Sequence, residues 1–219
     1  LCEDYFVADI NSISDVVSYS KKKEINLAII GPENPLANGV VNELERSGVR
    51  CVGPKKEVAM VETSKAFART IIDLCCPEKN PLRKEFDSTE GVESFIGQLG
   101  EDYVIKFDGL MGGKGVRVSG EHLKNVNEGL DYAGEIAKSG GKFLIEEKLV
   151  GEEFSLMSFV DGETCKHMPV VQDHKRAYEG DTGPNTGGMG AYSPSRLLND
   201  ELEKKILNKI IKPTLEGLS

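Results

Sequence analysis

The sequence predicts an α/β half-domain followed by a larger α+β region, and three observations carry that prediction. Near the N-terminus, apolar residues alternate between helical spacing and short continuous runs, the pattern of helices packed on parallel strands. From about residue 63 onward strands and helices mix, and Asp161-Gly162 between two β-patterned runs signals an antiparallel hairpin. The chain's 219 residues, 39% of them hydrophobic and 29% charged, supply enough material for one large domain or two small ones. The boundary is expected between residues 62 and 63, giving domains over 1–62 and 63–219.

Ser12 is a natural N-cap for Ile13, Val16 and Val17, which stand at helical spacing within residues 12–24. Leu27-Ala28-Ile29-Ile30 is the short apolar run of a buried parallel strand. After Gly31-Pro32, Leu36, Val40, Val41 and Leu44 share one helical face up to the stop signal at Gly48, and residues 49–52 read as the next strand. Helix, strand, helix, strand is half of an α/β unit.

The second region opens near Thr63-Ser64 with a helix carrying Phe67, Ile71 and Ile72. Residues 75–86 are expected to be irregular, because Pro77 and Pro81 oppose helix there. Strands are expected at 103–107 and 116–118, a helix over 121–138, and strands at 142–147, 154–160 and 164–171. Residues 173–194 read as a long Gly-rich loop, and a structureless loop of that length is functional or disordered. Leu202, Ile206, Ile210 and Ile211 then return to helical spacing.

Charge and composition exclude several function classes. Twenty-seven Lys and Arg against 36 Asp and Glu give a net charge of −9, which disfavours a nucleic-acid backbone as partner. No apolar run approaches the roughly 18 residues of a membrane span, so no membrane partner is expected. Five scattered cysteines without a C-x-x-C pair read as reduced thiols in the cytoplasm, and no metal ligand set is assigned. The chain starts at Leu1 without a secretory pattern and stops within a helical pattern, so it is expected to be a piece of something longer.

Three segments carry chemistry. In YVIKFDGLMGGKGVRV (103–118), a strand delivers Lys106 into a turn where Gly109, Gly112, Gly113 and Gly115 surround Lys114. Glycines let backbone N–H groups approach phosphate oxygens, and a lysine among them adds positive charge. Asp108 and Gly115 stand where a Walker loop needs Gly and Ser or Thr, and a flexible surface hairpin is the other reading. In LIEEKLVGEEFSL (144–156), Glu146, Glu147, Glu152 and Glu153 crowd beside apolar strand positions. They either lie on a solvated face or edge a nucleotide pocket. In QDHKRAYEGDTGPNTGGMGAYSP (172–194), Lys175 and Arg176 suit an anionic substrate and the glycines let the chain bend around it. His122, expected to open a helix, and His167, in a strand, receive no role.

SKAFAR (64–69), KFDGLMGGKGVRV (106–118), IEEKLVGEE (145–153) and DHKRAYEGDTGPNTGGMGAYSP (173–194) together resemble the glycinamide ribonucleotide synthetases, or phosphoribosylamine-glycine ligases, of the ATP-grasp superfamily. The likeness runs from IIGPENPLANGVV at 29–41 through Pro194. It implies a partial Rossmann-like N-terminal domain followed by an incomplete ATP-grasp fold, with an ATP-grasp subdomain over about 103–150. It also implies a purine-pathway reaction in which ATP phosphorylates glycine and the amine of 5-phosphoribosylamine attacks the acyl phosphate.

Carried over by position, the resemblance places Lys65 and Lys106 at ATP phosphates and Gly112, Gly113, Lys114, Gly115 and Val116 in a lid over them. Glu146 and Leu149 would meet adenine through backbone atoms, with Glu147 beside them and Glu153 at the ribose. Lys175 and Arg176 would be catalytic, with Asp173, Asp181, Asn185, Thr186, Gly187 and Gly188 facing the substrates. The family's opening Gly-rich turn and its C-terminal Arg-Phe-Gly-Asp-Pro-Glu run are missing, so ligands for Mg²⁺ or Mn²⁺ are expected beyond residue 219 and the chain alone is expected to be catalytically incomplete. The reading requires the lysine-bearing tip and the carboxylate-rich crossover to fold toward each other around a shared nucleotide.

Overall fold

A computed structural model describes residues 3–111, 114–162 and 164–218. The chain divides into two units, Leu1–Thr70 and Ile71–Ser219.

The first unit contains α1 (Ile13–Lys22), β1 (Leu27–Ile29), α2 (Glu33–Asn38), α3 (Val40–Arg46), β2 (Arg50–Val52) and α4 (Lys56–Thr63). β1 and β2 pair in parallel, Leu27 opposite Arg50 and Ile29 opposite Val52. Val40, Val41, Leu44 and Val49 form its core with Ile13, Val16, Val17, Ala28, Ile30 and Leu36 against them. The expected single helix after Pro32 is two, because Gly39 adopts φ +89°, a left-handed conformation that interrupts the helix. The expected buried strand is half-covered: Leu27 and Ile29 are exposed, while Ala28 and Ile30 pack on the core. Sequence patterning missed α4.

α5 (Lys65–Cys75) carries the chain into the second unit, its first turn capped by Ser64 Oγ, which accepts from Phe67 N at 3.1 Å. There follow a 3₁₀ turn (Pro77–Lys79), β3 (Arg83–Phe86), α6 (Val92–Leu99), β4 (Tyr103–Phe107), β5 (Val116–Val118), α7 (Val126–Lys138) and β6 (Phe143–Glu147). These strands form an antiparallel sheet in the order β3-β6-β4-β5. One face, carrying Phe86, Tyr103, Ile105, Phe143 and Ile145, packs on Val92, Phe95 and Ile96 of α6 and on Ala133 and Ile136 of α7. Phe86 stacks on Phe143 with ring centroids 5.5 Å apart. Gly129 leaves room on α7 for the Tyr103 ring of β4, since a Cβ there would stand 2.4 Å from the Tyr103 hydroxyl. Sequence patterning placed neither β3 nor α6, and it began α7 five residues early. The helix instead starts after Asn125, whose side chain accepts from Glu128 N at 3.0 Å.

β7 (Ser158–Asp161) and β8 (Thr164–His167) form the hairpin that Asp161-Gly162 signals, although both strands are shorter than the expected 154–160 and 164–171. Residues 173–194 are not a structureless loop. β9 (Gln172–Tyr178) and β10 (Thr182–Tyr192) pair antiparallel over most of that length. Apolar periodicity is absent there because these strands are largely exposed, so no buried face imprints itself on the sequence. The chain closes with α8 (Asp200–Ile206), a wider π turn (Leu207–Ile211) and α9 (Lys212–Leu218).

Candidate nucleotide and substrate site

Strand alternation decides which side chains leave the core. Tyr103, Ile105 and Phe107 point at the helices, so Val104 and Lys106 point away, and the same alternation on β6 turns Leu144 and Glu146 to that second face. Val104 lies opposite Glu146 and Lys106 opposite Leu144, which sets Lys106 and Glu146 diagonally across the ladder. Their side chains meet, Lys106 Nζ donating to Glu146 Oε2 at 2.7 Å. The carboxylate is only 2% exposed and the ammonium 25%, so each charge depends on its partner for what it loses from water. Arg83, opposite Glu146 on β3, binds Asp73 instead, at 2.5 and 3.2 Å.

The glycine turn leaves the Phe107 end of β4, and the crossover leaves the Glu147 end of β6. Phe107 faces Phe143 and Tyr103 faces Glu147, so turn and crossover stand at opposite ends of one ladder, about 13 Å apart at ~3.3 Å per residue. This departs from the expected clamp, in which the two segments fold toward each other: they leave opposite ends of the ladder whose outer face carries Lys106 and Glu146. Lys114 N donates to Met111 O at 3.0 Å, Gly115 O accepts from Phe107 N at 2.8 Å, and Val116 starts β5 opposite Lys106. Gly112 and Gly113 lie outside the described residues. A Cβ on Gly115 would stand 3.0 Å from Met111 Cβ, so this turn closes tightly. Glu147 N donates to Leu82 O at 2.9 Å, whereas Leu149 is exposed on the crossover. Lys65 lies in the first unit, at the first turn of α5.

The β9–β10 hairpin carries the remaining expected residues on two sides. Lys175 Nζ lies 3.2 Å from Asp173 Oδ2 and 3.4 Å from Glu153 Oε2, which gathers two hairpin residues and Glu153 of the crossover into one cluster. Burial works against the Lys175 charge, but the Asp173 hydrogen bond and the field of both carboxylates outweigh it and raise its pKa. Arg176, the next residue, joins a separate cluster: its guanidinium donates to Glu121 Oε2 through Nη2 and to Gly183 O through Nη1, the latter at 3.0 Å. Lys148 Nζ lies 3.2 Å from the other Glu121 oxygen. Glu121's pKa is lowered, first by the Arg176 hydrogen bond and then by Lys148, against the opposing effect of burial.

Asn185 pairs with Arg176 in register, and the ladder slips before Gly190 pairs with His174, so Thr186, Gly187 and Gly188 bulge from it. Thr186 Oγ1 donates to Lys175 O at 3.0 Å and accepts from Gly188 N at 3.0 Å, which gives the bulge a defined shape. Asp181 stands at the hairpin tip with φ +56°, between Gly180 and Thr182. His122 does not open a helix. It sits in the turn after β5, where Nδ1 accepts from Val118 N at 3.2 Å and burial lowers its pKa.

Glu121 and Lys148 are the polar residues that sequence reading passed over. Fifty-five positions separate Glu121 from Arg176, and no local spacing signals an ion pair at that distance. Among the described residues, no three His, Cys, Asp or Glu side chains converge as a metal site, and no helix is long and apolar enough to cross a membrane.

Two family profiles match this chain: phosphoribosylglycinamide synthetase, N domain, over residues 2–62, and phosphoribosylglycinamide synthetase, ATP-grasp (A) domain, over residues 63–219. A phosphoribosylamine–glycine ligase of Methanosarcina barkeri is 42% identical over 100% of this chain and 51% of its own length. The chain thus spans about half the length of the curated relatives it matches. Among solved structures, a phosphoribosylamine–glycine ligase from Thermotoga maritima is similar with a TM-score of 0.72 and 31% identity, covering 86% of this chain and 46% of that one. A D-alanine–D-alanine ligase from Bacillus anthracis complexed with ATP shares the fold at TM-score 0.64 and 18% identity, over 95% of this chain and 65% of that one.

Proposed function

The chain belongs to the phosphoribosylglycinamide synthetase family, and we propose that it forms the nucleotide face and part of the substrate face of a longer ATP-dependent ligase. That ligase joins glycine to 5-phosphoribosylamine. The γ-phosphoryl of ATP passes to the glycine carboxylate, giving glycyl phosphate and ADP. The amine then attacks the acyl carbon, the C–N bond forms as the C–O bond to phosphate breaks, and phosphate leaves with the electron pair. Activation is needed because a carboxylate oxygen is a poor leaving group and phosphate a good one.

Lys106 is the cation for a transferring phosphate, held ready by Glu146 at 2.7 Å on a sheet fixed by its core. Lys114, Gly115 and Val116 lie at the turn that would close over phosphates, while Glu147, Leu149 and Glu153 lie along the crossover that would receive adenine and ribose. The single observation that most supports the glycine-amine reading, beyond a generic nucleotide site, is the 173–194 run folded into one hairpin. It presents Lys175 beside Asp173 and Glu153, with the Thr186–Gly188 bulge in the same ladder.

The test is ADP formation by the full-length protein with ATP, phosphoribosylamine and glycine, against omission of glycine and replacement by bicarbonate or other amino acids. ADP release that requires both glycine and the amine is expected. Glycine-independent or bicarbonate-dependent release would discard the reading in favour of a carboxylase-type relative, and no release at all would favour a nucleotide-binding module without chemistry.

A further inference from the structure

We propose that Glu121 is a positioning residue for this reaction: it fixes the Arg176 guanidinium and, through Lys148, ties the crossover after β6 to the β9–β10 hairpin. An anionic reactant then meets a cation already in place. The identity of that reactant rests on the ligase reading above.

Three observations carry the inference. Glu121 divides its oxygens between two cations, Oε1 at 3.2 Å from Lys148 Nζ and Oε2 accepting from Arg176. Arg176 is held at a second point, since Nη1 donates to Gly183 O at 3.0 Å. A planar guanidinium with two arms on fixed acceptors has one pose, whereas an arginine on an open hairpin samples many. The anchor is itself rigid. Gly120 N donates to Leu123 O at 2.8 Å and His122 N to Val118 O at 2.8 Å, while the buried Ser119 hydroxyl bonds Glu101 O at 2.6 Å. Lys148 is braced likewise, its N–H donating to Asp102 O at 3.0 Å.

Charge supports the same role. Two cations around one carboxylate leave a net positive trio, which still attracts an anion while the carboxylate restrains the arginine. All three side chains are partly sheltered, at 31%, 22% and 24% exposure for Glu121, Arg176 and Lys148, so solvent screening is incomplete. Binding an anion at a preset cation avoids the entropy of ordering a long side chain at that moment.

Glu121→Gln in the full-length protein keeps the shape and removes the charge. The KM for the phosphate-bearing amine is expected to rise about ten-fold, with kcat within about two-fold and the KM for ATP unchanged. Glu121→Asp recovers part of the loss. Amide exchange over 172–192 quickens, while exchange in β4 and β6 does not change. Should Glu121→Gln fail to fold, Lys148→Gln gives the same pattern at smaller size. An unchanged KM for the amine overturns the proposal, as does an equal rise for ATP. A lower KM for the amine also overturns it, since Glu121 would then be competing with the anion. Wild-type protein without glycine-dependent ADP release would fail the ligase reading instead, and the exchange comparison would still decide the role of Glu121.

Discussion

The four-stranded sheet and the β9–β10 hairpin belong to the same unit, yet they are held by different forces. On the sheet, strands back onto two helices, Ile105, Phe143 and Ile145 have no exposure, and the Lys106–Glu146 pair facing away from the core includes a nearly inaccessible carboxylate. The hairpin has almost no buried side chain, and its ends and tip are tied by ion pairs and by hydroxyl-to-backbone bonds. Apolar burial is not weakened by charge screening and is weakly sensitive to pH, whereas an exposed charge network responds to both. The sheet is therefore suited to present a fixed cation to a triphosphate. The hairpin is suited to grip and release a smaller charged reactant.

The largest effect should come from the sheet. Phe143→Ala removes a fully buried ring that stacks on Phe86 and should cost about 3–5 kcal/mol in denaturant unfolding. A loss below about 1 kcal/mol would mean that the sheet is not the core. Next, Lys106→Ala removes the cation 2.7 Å from the buried Glu146 carboxylate, at about 3 kcal/mol of stability, and, on the proposed nucleotide face, one charge-assisted phosphate contact. ATP affinity measured calorimetrically should fall by about 1.5–3 kcal/mol, and unchanged affinity would count against the nucleotide face.

The hairpin should give smaller numbers. Lys175→Ala breaks pairs whose side chains are 47% and 80% exposed at Lys175 and Glu153, so the unfolding free energy should move by no more than about 1 kcal/mol. The pH response should be small but signed. Glu121's folded-state pKa lies below the ordinary 4.5, so its stabilising contribution is complete above that value and is lost as pH falls through the lower folded pKa. The stability difference between wild type and Glu121→Gln should therefore be constant at neutral pH and shrink below about 4.5. A difference that grows on acidification would contradict the pairing with Arg176.

The same contrast explains what could be read from sequence. β4, β5 and β6 stand near where apolar runs place them, since a buried face writes its period into the chain. β3 escaped notice because an edge strand reading Arg-Lys-Glu-Phe has one buried residue, whereas Val92, Phe95, Ile96 and Leu99 do stand at helical spacing, so α6 was legible and was overlooked. The hairpin over 172–192 was misread as loop because its two strands bury too little to show a pattern, although its glycines and Asp181 do mark its turns. Of the site, Lys106 and Glu146 were legible as residues but not as partners, being 40 positions apart. Lys175 with Asp173 was not legible as a pair either, because residues two apart share a face only on a strand and this segment reads as a loop.

The most direct test compares two variants on the same full-length protein, Lys106→Ala and Lys175→Ala, reading ATP affinity and the KM for phosphoribosylamine in both. If the sheet carries the nucleotide and the hairpin the second reactant, the first variant weakens ATP binding by at least ten-fold with little change in the amine's KM at saturating ATP. The second then does the reverse. Equal losses of both quantities in both variants would contradict the division of labour.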